Sequence, residues 1–156
     1  MLKEISAVIF DLDGTLVDSM WIWDDIDDTY IEKYHLTEPV DFHERMEGMS
    51  FTETAMYFLD VFPLLPHSVE ELKKEWTDMA YRRYTEKVPL KPGVRMFLNY
   101  LKEHGIPCGI ATSNGRELVD AVLRAKEIDE FFSTIRTSCE VKAGKPAPDV
   151  YLKAAE

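Results

Sequence analysis

The chain has 156 residues and a formal net charge of −11, from 18 basic and 29 acidic side chains. That length allows one domain, or a core with a small accessory unit. That charge excludes a surface built to neutralise a phosphate backbone, so no nucleic-acid partner is expected, although a local positive pocket for an anionic metabolite remains open. The apolar run AVIF near the N-terminus is too short for a secretory core, and no run approaches a membrane span. The chain is therefore expected to be soluble and cytoplasmic, with no membrane partner. Cys108 and Cys139 show no metal spacing and lie in apolar segments. They are expected to be buried free thiols of a reducing compartment.

In chain order, Ile5 to Phe10 reads as a buried central strand ended by DLDG. Ser19 is placed to cap a helix with Ile22, Ile26 and Tyr30 on one face and Asp24, Asp25, Asp27 and Asp28 in its first turns. A second helix carries Ala55, Phe58, Leu59 and Phe62, and FPLLPHS stops it. Ser68 opens a third helix with Leu72, Trp76, Met79 and Ala80 on one side. Pro92-Gly93 starts a helix facing inward through Val94, Phe97, Leu98 and Leu101, and His104-Gly105 ends it. Ile106 to Ala111 is a second strand, Leu118, Ala121, Val122 and Ala125 mark another helix, and Phe131 to Thr137 is a third strand. GKPAPDVY then leads into a last helix. Strands alternating with helices indicate a parallel α/β sheet with crossover helices, interrupted by an all-helical insertion.

Ligands of such sheets bind beyond the carboxyl ends of the strands. The polar clusters DLDGT, TSNG and AGKPAPD all fall there. Asp11 and Asp13 are two carboxylates beside an apolar strand. They repel unless a cation lies between them, and Mg²⁺, with its preference for hard oxygen ligands, suits that place. One aspartate can attack phosphorus while the other moves protons. The same DLDG also suits a plain turn after a strand. Thr112, Ser113 and Asn114 offer hydroxyl, amide and backbone donors at a strand-to-helix junction, a geometry shared by an anion loop and an ordinary helix cap. Lys145, between Gly144 and Pro146, is either an ammonium held by a stiff loop or a solvated surface group.

Taken together, DLDGTLVDS, ATSN and GKPAPDVY resemble the first three motifs of the haloacid dehalogenase superfamily, in order, in spacing and in the helical insertion after the first. The branch they resemble is that of the β-phosphoglucomutase-like phosphatases. The resemblance implies a three-layer Rossmann-like core over residues 1–16 and 88–156, with a helical cap over 17–87 that closes over the site and selects the substrate. It implies that Asp11 is the nucleophile and a Mg²⁺ ligand. Asp13 would be the general acid/base, with its backbone carbonyl on the metal. Thr112 would hold a phosphate oxygen, helped by Ser113 and Asn114, and Lys145 would stabilise charge. A small phosphorylated metabolite is the expected substrate.

The sequence departs from the family in two respects. The sugar-phosphate mutases of this branch carry a histidine where this chain has Trp23, and an arginine after the cap Gly-x-Ser, where Gly48-Met49-Ser50 is followed by Phe51. Hydrolysis is therefore expected over phosphoryl transfer within a sugar. Trp21, Trp23 and Phe51 are either pocket-lining or packing residues, and Arg45, Arg82 and Arg83 are candidates to meet a second anionic group. The family's fourth motif, which supplies further metal-binding acids on a later strand, has no counterpart before Glu156. A missing C-terminal segment or a second chain is expected to complete the sheet beside Ile5 to Phe10. The rival expectations are a β-phosphoglucomutase-type mutase and a catalytically incomplete binding or assembly module.

Overall fold

The computed structural model describes residues 5–46, 49 and 51–156, so Gly48 and Ser50 of the Gly-x-Ser segment lie outside the described residues. In chain order the elements are β1 (Val8–Phe10), α1 (Ile22–Tyr34), α2 (Phe42–Met46), α3 (Phe51–Val61), α4 (Val69–Glu86), α5 (Val94–Glu103), β2 (Cys108–Thr112), α6 (Arg116–Ala125), β3 (Phe132–Thr137) and α7 (Asp149–Ala155). The chain divides into two compact units, one from Met1–Met20 with Arg83–Glu156 and the other from Trp21–Arg82.

The first unit is α/β. Its three strands are all parallel in the order β1-β2-β3. Every residue of β2 is buried, whereas β1 is half-buried along its length. Among the described residues β2 is the central strand and β1 lies at an edge, the open edge expected beside the Ile5–Phe10 run, so that run is not buried as a central strand would be and Ile5 is exposed. Successive residues of β1 point to opposite faces. Ile9 packs with Ala111 of β2 and with Val150 and Ala154 of α7. Phe10 meets Phe97 of α5 edge-on, with ring centroids 6.0 Å apart. Gly109 is what lets β2 lie close to its neighbour, because a Cβ there would stand 2.7 Å from Thr134 Cγ2.

Helix faces follow side-chain size. Leu98 and Leu101 of α5 are buried, but Phe97, expected inside, is 40% exposed. In α6 the buried positions are Leu118, Val119, Val122 and Leu123, so Ala121 and Ala125 do not form its inner face. Rotating the helix buries the larger Val119 and Leu123 in their stead, which removes more apolar area from water. Cys108 is a buried free thiol, and burial raises its pKa. Cys139, expected buried, is exposed, because it sits in the 3-10 turn Ser138–Glu140 that follows β3.

The second unit is helical. Ile22, Ile26 and Tyr30 of α1, Ala55 and Phe58 of α3, and Leu72, Trp76 and Ala80 of α4 form its core. Aromatic edges hold it together: Phe58 lies 5.2 Å from Trp76 and 5.5 Å from Phe42, the latter on the short α2 that the sequence pattern does not reveal. Ser68 and Glu71 exchange hydrogen bonds at the start of α4, Glu71 N–H donating to Ser68 Oγ and Ser68 N–H to Glu71 Oε2. This reciprocal cap is the start that Ser68 predicts. Glu75 gathers Tyr30 Oη, Lys33 Nζ at 2.7 Å and His67 Nε2 at 3.0 Å. Among the described residues no helix is long and apolar enough to cross a membrane.

Candidate active site

The loop after β1 is built to hold two carboxylates still. Leu12 carbonyl accepts from the amides of Thr15, Leu16 and Val17, and Gly14 N–H donates to Val17 carbonyl at 2.9 Å. Gly14 has φ +72°, a left-handed conformation that glycine adopts without strain. Leu12, Leu16 and Val17 anchor the turn in the core, each at most 1% exposed. Leu16 carbonyl accepts from Lys91 N–H, and Lys91 Nζ pairs with Asp18 at 2.7 Å. Asp11 and Asp13 thus project from a loop fixed on both sides.

Around Asp11 the structure brings the third polar cluster. Lys145 Nζ donates to Asp11 Oδ1 at 2.7 Å and lies 4.9 Å from the centroid of the Tyr151 ring. Burial pulls the Lys145 ammonium toward a lower pKa, but its hydrogen bonds to Asp11 and Tyr151 and their charges outweigh this and raise it. The ammonium is therefore held charged beside the carboxylate.

Around Asp13 it brings the second cluster. Thr112, at the end of β2, is 1% exposed. Its Oγ1 accepts from Asn114 N–H at 3.0 Å. Asn114 Nδ2 donates to Asp13 Oδ2 at 3.1 Å and to Tyr84 Oη at 2.9 Å, while Asn114 Oδ1 accepts from Gly115 N–H. Both hydrogens of the Asn114 amide are thus engaged within the site. Ser113 is exposed.

Two further residues complete the surroundings of Asp13. Ser19 Oγ donates to Asp13 Oδ1 at 2.6 Å, so Ser19 does not cap α1, whose N-cap is Trp21 without a side-chain bond. The sequence marks Ser19 only as a capping residue, and a serine this close to a helix start carries no sign of a partner six positions back. Tyr84 Oη also donates to Asp13 Oδ1, at 2.5 Å. Tyr84 continues the stripe Trp76, Ala80 at a spacing of four, a pattern that reports burial but not a hydroxyl contact 71 positions away. Burial, then the charge and hydrogen bond of Asp13, raise the Tyr84 pKa and keep its phenol protonated.

Of the remaining candidates, Trp21, Trp23, Arg45, Phe51 and Arg82 belong to the helical unit and Arg83 to the α/β unit. Trp23 and Phe51 touch, with centroids 5.5 Å apart, and both are more than one-third exposed. Trp21 is half-buried. Arg45 pairs with Asp41 on the surface at 2.7 Å, Arg82 is exposed and Arg83 half-buried.

Among the described residues, no three His, Cys, Asp or Glu side chains converge as a metal cluster. The donors available are the oxygens of Asp11, 35% exposed, and those of Asp13. They fit Mg²⁺, which commonly keeps several waters and takes only one or two carboxylates beside a substrate phosphate.

The family model described as haloacid dehalogenase-like hydrolase matches residues 8–156. The chain is 31% identical over 157 residues to the bifunctional riboflavin kinase/FMN phosphatase of Arabidopsis thaliana, an alignment covering 99% of this chain and 41% of that protein. It is 29% identical over 152 residues to the phosphorylated carbohydrates phosphatase of Thermotoga maritima, covering 97% of this chain and 70% of that one. A Thermotoga maritima crystal structure provisionally named a beta-phosphoglucomutase superposes with a TM-score of 0.81 at 29% identity, over 96% of this chain and 69% of that chain. The chain thus spans from less than half to about seven-tenths of the length of these relatives.

Proposed function

Since the chain belongs to the haloacid dehalogenase-like hydrolase family, we propose that it is the catalytic part of a Mg²⁺-dependent phosphomonoesterase acting on a small phosphorylated metabolite. The observation that carries this reading is the pairing of Lys145 with Asp11 at 2.7 Å beside an Asp13 held by three donors, all beyond the carboxyl ends of parallel strands. One aspartate is kept next to a cation and stays half-exposed. The other is enclosed by donors. Two carboxylates in such different surroundings suit two different roles.

In this reading Asp11 attacks phosphorus, forming an aspartyl-phosphate while the bond to the leaving oxygen breaks. Asp13 gives its proton to that oxygen and later takes one from the water that cleaves the acyl phosphate. Lys145 offsets charge on Asp11 and on the transferring group. Thr112, with its hydroxyl oxygen already accepting from Asn114 N–H, has its own O–H to donate to a phosphate oxygen. A bound Mg²⁺, held by the Asp11 carboxylate and the Asp13 backbone carbonyl, would supply Lewis-acid stabilisation of a phosphoryl oxygen.

The test is release of inorganic phosphate from a panel of sugar, nucleotide and flavin monophosphates with Mg²⁺. Phosphate release that is lost in Asp11→Asn supports the proposal. An isomeric sugar phosphate with no free phosphate points to a mutase, and silence across the panel with Mg²⁺ bound counts against catalysis by this chain.

A further inference from the structure

We propose that Tyr84 is a positioning residue that fixes the rotation of the Asp13 carboxylate for proton transfer. The inference rests on the reading of Asp13 as general acid/base. An aspartate carboxylate turns about a soft torsion with broad minima. A proton-transfer group must instead present one oxygen to the leaving group and hold it there. In this site three donors act on the two oxygens. Tyr84 Oη and Ser19 Oγ both donate to Oδ1, at 2.5 and 2.6 Å, and Asn114 Nδ2 donates to Oδ2 at 3.1 Å.

Tyr84 does more than add one bond. Its single hydrogen goes to Asp13, and its oxygen accepts from the same Asn114 amide at 2.9 Å, which closes a triangle of Asp13, Tyr84 and Asn114. The triangle fixes the amide as well, because Asn114 Oδ1 is turned back to Gly115 N–H at 2.8 Å. Tyr84 is 2% exposed and Ser19 is 2% exposed, so water cannot readily replace either hydroxyl. Tyr84 stands on the last turn of α4, which gives it the rigid support of a helix.

Tyr84→Phe keeps the ring and removes the hydroxyl. Asp13 then retains Ser19 and Asn114 but loses the link between its two sides. If Tyr84 aims the acid, the loss depends on how much the leaving group needs a proton. The expected fall in kcat/KM is about 10²-fold for an alkyl phosphomonoester and under about threefold for p-nitrophenyl phosphate, whose phenolate departs unprotonated. Ser19→Ala, which removes the other donor to Oδ1, should show the same selectivity. In protein carrying ¹³C-carboxyl aspartate, the Asp13 signal, assigned by its absence in Asp13→Asn, should move in Tyr84→Phe.

An equal loss on both substrates, no loss on either, or an unmoved Asp13 signal overturns the positioning role. Asp13→Asn serves as the control for the underlying reading. If it too lacks leaving-group dependence, the general-acid assignment fails and this inference falls with it; if it shows that dependence and Tyr84→Phe does not, only the role of Tyr84 fails.

Discussion

Lys145→Met should lower turnover by two to three orders of magnitude while leaving the fold almost as stable. The ammonium lies 2.7 Å from Asp11 Oδ1. At that separation two unit charges attract by about 1.5 kcal/mol in bulk water and about 6 kcal/mol at an effective dielectric constant of about 20. Lys145 is 21% and Asp11 35% exposed, which puts the pair between those limits. Removing one preorganised donor of this kind from developing charge costs about 2.7–4 kcal/mol, or about 10²–10³ in kcat. Methionine keeps the length and apolar character of the stem, so the folded state should lose only about 1 kcal/mol, as for a partly exposed pair.

The pH dependence follows from the direction of the Lys145 shift. Its pKa is raised in the folded state, so its contribution is fully present below the ordinary lysine value and is lost only as pH rises through the higher folded one. Wild type and variant should therefore differ by a constant factor from about pH 6 to pH 9, well below the ordinary lysine value of about 10.4. The assay is initial phosphate release at saturating substrate, with urea midpoints measured in parallel. Turnover within about threefold of wild type, or a loss explained wholly by a lowered midpoint, would refute the role given to Lys145.

Two further predictions concern the fold. Asp27 of α1 has its pKa pushed up to about 7 by burial, reinforced by Asp24, Asp28 and Glu38 and opposed by His43. An acid with a raised pKa stabilises the fold below its ordinary value and loses that contribution as pH rises toward the folded one. Asp27→Asn should accordingly melt higher than wild type at pH 8 and alongside it near pH 4, and a melting curve unchanged at pH 8 would contradict the burial argument. Gly109→Ala would drive a Cβ to 2.7 Å from Thr134 Cγ2 between β2 and β3. It should cost about 1–3 kcal/mol by denaturant unfolding, and an unchanged midpoint would mean that the strand pair yields more easily than its packing implies.

Much of this architecture was legible in the sequence, because it rests on short-range rules. Apolar runs ended by Gly, Asp or Asn mark the ends of strands, and Ser68 with Glu71 marks the start of α4. Apolar spacing is less informative where several rotations of a helix offer apolar residues, as in α6, where size decides between Val119 or Leu123 and the alanines. The composition of β1 suits an edge strand and a central one equally, and the order β1-β2-β3 leaves it at the edge where a further strand was expected to pair. At the site, the clusters holding Asp11, Asp13, Thr112, Asn114 and Lys145 were visible as polar breaks after strands. Ser19 and Tyr84 were not, because each has an adequate local reading in the sequence, Ser19 as a cap that the structure does not form and Tyr84 as one more buried residue on a helical stripe. What makes them part of the site is a contact across the fold.

The most direct measurement is to quench the chain with acid during turnover of a small phosphomonoester with Mg²⁺ and to map the modified peptide. The account predicts a phosphoryl group on Asp11, absent from Asp11→Asn along with phosphate release. A label on another residue, or phosphate released by Asp11→Asn at the wild-type rate, would contradict it.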